Sequence, residues 1–118
     1  MSLLSDKTCS ACRGDSPPMT SAEIQKALTE LPGWALESVV EIPQLTKQYS
    51  FKNFIGALAF TQAVGALAEE YGHHPALLTE WGKVKVNWWT HKIKGVHEND
   101  AIMAAKTEQL FIARFTQE

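Results

Sequence analysis

The stretch from Phe51 to Tyr71 constrains the fold more than any other part of the chain. At about 100° per residue, Phe51, Phe54, Ile55 and Leu58 share one face of a helix. Ala57, Phe60, Val64, Leu67 and Tyr71 fall on nearly the opposite face. A helix that is apolar on two sides must be covered on two sides. One side calls for a sheet, the other for a second helix or another subunit. Gly72 ends the helix as a C′ glycine would.

The flanking sequence supplies the cover. Thr20 and Glu23 match a capping box, followed by Ile24, Ala27, Leu28 and Leu31 at helical spacing, and this helix is expected to stop at Pro32-Gly33. Residues 34–42 and 45–51 read as strands joined around Pro43-Gln44. Residues 77–81 and 83–91 read as a hairpin turning at Gly82. In its second strand Val84, Val86, Trp88 and Thr90 share one face, and Lys83, Lys85, Asn87, Trp89 and His91 the other. A last helix begins near Glu98-Asn99-Asp100 and runs through Ile102, Ala105, Ile112 and Phe115. The order α-β-β-α-β-β-α predicts an α+β fold, a four-stranded antiparallel sheet with three helices packed on one face. With 118 residues the chain has room for one core. The expected organisation is a flexible leader over 1–19 and a single domain over 20–118.

Charge and composition narrow the function. The net charge of −2 lacks the basic excess of a nucleic-acid-binding domain. No run approaches the roughly 18 apolar residues of a membrane span, and the polar leader lacks the apolar segment of a secretory signal. Cys9 and Cys12 form one Cys-x-x-Cys pair in that leader. A zinc ribbon would need a second close pair, and a thioredoxin-like motif a βαβ frame. The pair is therefore read as incidental, and a cytoplasmic location is expected.

Chemistry concentrates where elements end. His73 and His74 follow the central helix, and Pro75 pushes His74 to extended backbone. Neighbouring side chains on an extended chain point apart, so the two need not share one job. Glu69 lies one turn before His73, His91 ends the last strand, and Asp100 sits in the first turn of the last helix. Singly, each has a structural explanation: a solvated surface histidine, a solvated helix glutamate, a carboxylate at a helix start. Together they gather at element ends, where sites are usually built. Imidazoles titrating near neutrality suit moving one proton onto a substrate and another off it. Three histidines could instead bind zinc, but none shows the spacing that puts two ligands on one helix face. No metal or bound cofactor is expected. Trp88 reads as core; Trp89 shares the face of His91 and stays open as a binding residue.

These residues resemble the pterin-4a-carbinolamine dehydratase family. His73-His74-Pro75, Trp81-Gly82-Lys83-Val84, Thr90-His91 with Gly95, and Asp100 with Ala104-Ala105 carry the likeness, as do Leu31-Pro32-Gly33-Trp34 and the Phe51, Phe54, Ala57, Phe60 series. The wording of residues 72–95 is similar to the bacterial branch associated with phenylalanine hydroxylase. Leu77 stands where many members carry a tryptophan, a difference that bears on pocket shape. The resemblance implies three helices on a four-stranded antiparallel sheet, and dimers or tetramers in which the central helix supplies a bundle contact. It implies dehydration of 4a-hydroxytetrahydropterin to quinonoid dihydropterin, returning the cofactor of aromatic amino-acid hydroxylation. It makes His73, His74 and His91 the catalytic and pterin-binding histidines, with Glu69, Pro75, Trp89, Thr90 and Asp100 binding or supporting. His73 and His91 would exchange protons with the substrate while His74 orients the pterin. Animal relatives also serve as dimerisation cofactors of a transcription factor, which offers a second, non-catalytic reading through the central helix.

Overall fold

The computed structural model describes residues 19–90 and 95–115. Its elements are α1 (Ser21–Leu28), β1 (Ala35–Val39), β2 (Ile42–Ser50), α2 (Phe54–Tyr71), β3 (Ala76–Glu80), β4 (Lys83–Trp88) and α3 (Glu98–Arg114). The four strands form one antiparallel sheet in the order β1-β2-β4-β3. The α+β arrangement expected from the periodicities is the one observed. Cys9, Cys12 and His91 lie outside the described residues.

Local chemistry explains most element ends. The Thr20–Glu23 capping box is complete: Thr20 N donates to Glu23 Oε1 at 2.7 Å, and Glu23 N to Thr20 Oγ1 at 3.1 Å. The helix stops at Leu28, earlier than Pro32-Gly33, and turns carry the chain on to Gly33. α2 starts at Phe54 because Asn53 caps it, its side chain accepting from Gly56 N at 2.8 Å. Phe51 therefore precedes the helix and joins the core edge. At the other end Gly72 takes a left-handed φ of 65°.

The β1–β2 turn is where the sequence misleads. Pro43-Gln44 is not the turn; Pro43 lies in β2 opposite Ser38. Pairing of β2 with β4 begins only at Leu45, so the missing proline N–H breaks no bond between them. The chain reverses at Val40 and Glu41, with φ of 49° and 65°. That backbone usually selects Asn-Gly, and left-handed geometry costs an L-residue about 1–2 kcal/mol. No side-chain signal announces it.

The core lies between sheet and helices. Ala57, Phe60, Val64 and Ala68 of α2 are buried, as are Leu45, Tyr49, Val84, Val86 and Trp88 of the sheet. The second apolar face of α2 stays in solvent, with Ile55 77% exposed and Phe54 and Leu58 above 39%. Tyr49 is the hinge of the aromatic packing, 4.8 Å from the Phe60 ring and 4.6 Å from that of Phe111. Its hydroxyl donates to Glu108 Oε1 at 2.7 Å, which also accepts from Lys47 Nζ at 2.8 Å and Trp34 Nε1 at 3.4 Å. One carboxylate thus ties α3 to β2 and to the entry of β1.

Burial, and then the neighbouring Glu108, hold the Tyr49 hydroxyl protonated well above the ordinary tyrosine range. The folded chain keeps this proton where the unfolded chain loses it. Stability from Tyr49 is therefore complete below about pH 10 and falls by about 1.4 kcal/mol per pH unit above it. Urea unfolding should show that slope as pH rises from about 10 to 11 and not below, and Tyr49→Phe should remove it.

Candidate active site

The last turn of α2 delivers two histidines into different surroundings. The backbone N–H of His73 still bonds to the carbonyl of Ala68 at 3.2 Å, while Gly72 turns the chain out of the helix. His73 is 5% exposed, and its imidazole lies flat on the Trp88 indole, 5.6 Å between centroids and 7° between planes. His74 is exposed and bonds through Nε2 to Glu69 Oε2 at 2.6 Å, one α2 turn away.

Asp100 organises the buried half. It has no exposed surface and receives three donors. His73 Nε2 lies 2.5 Å from Oδ1; Thr90 Oγ1 and the His97 N–H each donate to Oδ2 at 2.8 Å. These groups come from the exit of α2, the segment after β4 and the residue capping α3. Thr90 is fixed by paired backbone bonds with Gly95, N to O at 2.8 Å and O from N at 3.4 Å. The Asp100 position reflects a capping box: His97 Nδ1 accepts from Asn99 N at 3.1 Å, and Asp100 reaches back to His97 N.

Trp88 forms the floor. Its Nε1–H donates to Thr107 Oγ1 at 3.1 Å, and Thr107 donates in turn to the Met103 carbonyl at 2.7 Å, all in the interior. The platform under His73 is therefore locked by α3. Of the residues singled out from sequence, the structure brings together His73, Thr90 and Asp100, and separately His74 with Glu69. Pro75 is half-buried between the second pair and β3. Trp89 is half-buried on the helix-free face, away from Asp100's partners. Sequence reasoning missed His97, Thr107 and the contact of Trp88 with a histidine. His97 sits three residues before Asp100, a capping-box spacing that the usual Ser/Thr search passes over.

The helix-free face is not bare. Glu37, Gln44, Thr46, Lys85 and Asn87 form a polar network there. Thr46 Oγ1 donates to Asn87 Oδ1 at 2.8 Å, Asn87 Nδ2 donates to Gln44 Oε1 at 2.8 Å, and Lys85 Nζ approaches Glu37 to 3.0 Å. The Lys85 hydrogen bond chiefly holds the Glu37 carboxyl below its usual range. This network floors a groove of about 500 Å³ whose walls include Val39, Ile42, Leu78 and Trp89. Among the described residues, no three His, Cys, Asp or Glu side chains gather as a metal would require. No helix among them is long and apolar enough to cross a membrane.

The chain is similar to known proteins over most of its length. A family profile described as Pterin 4 alpha carbinolamine dehydratase matches residues 17–110. A Saccharophagus degradans protein named "Putative pterin-4-alpha-carbinolamine dehydratase" is 51% identical over 94% of this chain and 98% of its own length. A Chlorobaculum tepidum protein of the same name is 54% identical over 93% and 99%. Among solved structures, a transcriptional coactivator/pterin dehydratase from Brucella melitensis superposes with a TM-score of 0.71 at 32% identity, covering 80% of this chain and 98% of that one. A pterin dehydratase-like RuBisCO assembly factor of the alpha-carboxysome reaches 0.55 at 25% identity, covering 66% and 88%.

Removing one donor from Asp100 should have a measurable cost. Thr90→Val leaves the carboxylate buried with one partner fewer and should destabilise by about 1.5–3 kcal/mol in urea unfolding. Asp100→Ala, which strands His73 and the His97 N–H together, should cost about 3–5 kcal/mol.

Proposed function

The chain belongs to the pterin-4a-carbinolamine dehydratase family, and from that membership we propose that it dehydrates 4a-hydroxytetrahydropterin to quinonoid dihydropterin. The observation that supports this best is the buried His73–Asp100–Thr90 chain one residue from the exposed His74–Glu69 pair. The reaction breaks the C4a–O bond, releases water, and forms a C4a=N5 double bond as the N5 proton leaves. Hydroxide is a poor leaving group near neutrality, so a general acid at the oxygen and a base at the nitrogen are what the reaction needs. Such catalysis contributes about 10²–10⁴-fold.

In this reading His73 and His91 exchange protons with the substrate. Asp100 fixes the His73 ring through Nε2, and the Trp88 face prevents it from tilting. His74, steadied by Glu69, orients the pterin from the solvent side. Recycling the pterin of an aromatic amino-acid hydroxylase is the role this chemistry serves. His73→Ala and His91→Ala should each lower kcat by about 10²-fold or more with little change in KM, and His74→Ala should mainly raise KM. Unchanged kcat in both of the first two variants would overturn the assignment.

One observation favours a second role beside catalysis. Phe54, Ile55 and Leu58 leave an apolar strip of α2 in solvent, the kind of patch that marks a protein contact. In this second reading α2 packs against α2 of other copies, or against a helical partner. Light scattering should give a dimer or tetramer, and Ile55→Glu should shift it toward monomer while His73 chemistry persists in what remains folded.

A further inference from the structure

Burying a hydroxyl is unfavourable unless it is hydrogen-bonded. Thr107 has no exposed surface, in a helix whose buried residues nearby are Met103, Ala104 and Ala105. Valine has nearly the same shape and would bring no hydroxyl to satisfy. The bond that Thr107 makes back to the Met103 carbonyl does not account for it, since such bonds slightly weaken a helix. Trp88 does account for it. Its Nε1–H donates to Thr107 Oγ1, and a buried indole N–H without an acceptor would be strongly destabilising. Trp88 is itself fully buried, where leucine would fill a β4 core position with no N–H at all. What leucine lacks is a flat face, and the face of this indole is covered by the His73 imidazole, 7° from parallel.

Both grips on His73 therefore start on α3. Asp100 holds the edge of the ring through Nε2, and Thr107 holds its face through Trp88. Thr107 stands almost two turns after Asp100, so both look from one side of the helix. The edge contact aims one ring nitrogen but leaves the ring able to swing about that bond. The face contact stops the swing, provided that the indole cannot turn, and its bond to Thr107 keeps it from turning.

On the dehydratase reading, on which this rests, we infer that Thr107 is a positioning residue of the reaction. It acts through Trp88 rather than by a bond to His73 or Asp100, and it sets the plane in which His73 exchanges its proton. A tilted ring impairs proton transfer, whose hydrogen-bond geometry must be met at the reacting atom. Substrate binding, carried by His74 in the same reading, does not pass through this contact.

Thr107→Val should lower kcat for dehydration by about tenfold, within the 10²-fold that a misplacement of about 1 Å can cost, and leave KM unchanged. Thr107→Ser keeps the acceptor and should turn over as wild type does. In NMR spectra the His73 ring protons, shifted by the ring current of the indole, should move in the Val variant and not in the Ser variant. Thr107→Val strands the Trp88 N–H and should also be less stable. Combining it with Trp88→Phe removes both polar partners and should recover stability without recovering kcat, so this pair stands in if Thr107→Val folds poorly. In the Trp88→Phe background Thr107→Val should lower kcat no further, because the two act on one coordinate. Unchanged kcat in Thr107→Val, an equal loss with and without Trp88→Phe, or a kcat that returns with stability overturns this role for Thr107. A wild type that leaves 4a-hydroxypterin to decay at its uncatalysed rate overturns the dehydratase reading instead. The NMR contrast between Val and Ser then still decides whether Thr107 sets the His73 ring.

Discussion

A carboxylate with no exposed surface is the constraint on which the site depends. Taking one such ion out of water costs several kcal/mol even after relaxation. Asp100 recovers this through three hydrogen bonds, each worth about 1.5–3 kcal/mol when one partner is charged. The sum is close to break-even, so the arrangement gains little net stability. What it gains is position. The three donors stand 27, 10 and 3 residues before it in the chain, in three separate segments, and the carboxylate is satisfied only when all three arrive. The same condition that makes the fold tolerable sets the His73 ring at one angle.

That angle is defended from a second direction. Trp88 is both a core residue of β4 and the surface on which His73 lies, and Thr107 prevents the indole from rotating. The imidazole is thus gripped at its edge by α3 and on its face by the sheet. The proton transfer proposed for His73 benefits from this, because a positioned donor or acceptor loses less entropy on reaching the reacting geometry.

The fold was legible in sequence where local signals carry the physics. The capping box at Thr20, the two apolar faces of α2 and the alternation of Val84, Val86 and Trp88 all follow from periods of 3.6 and 2. The Val40–Glu41 reversal was not, because nothing in either side chain favours left-handed backbone; the register that pairs Val39 with Ile42 imposes it. The site divides the same way. His74 with Glu69 is a neighbour pair that helix geometry allows, and Asp100 announces itself as a first-turn carboxylate. That Asp100 would bond a histidine 27 residues earlier in the chain is a tertiary fact, and no spacing rule reaches it. The burial of Gln44 and Asn87 was equally hidden, since the sequence reads Gln44 as part of a turn and Asn87 as an outward strand residue.

Gly72 and Pro75 bracket the two histidines, one by left-handed backbone and the other by its fixed ring. Between them the chain is sealed at His73 and open at His74, so the segment obeys parity. Lengthening or shortening it by one residue would hand the buried place by Asp100 to a different side chain and turn the intended one outward. The placement of the two imidazoles is thus protected by counting as much as by contact, and a single-residue indel here should be more damaging to that placement than many substitutions in the core.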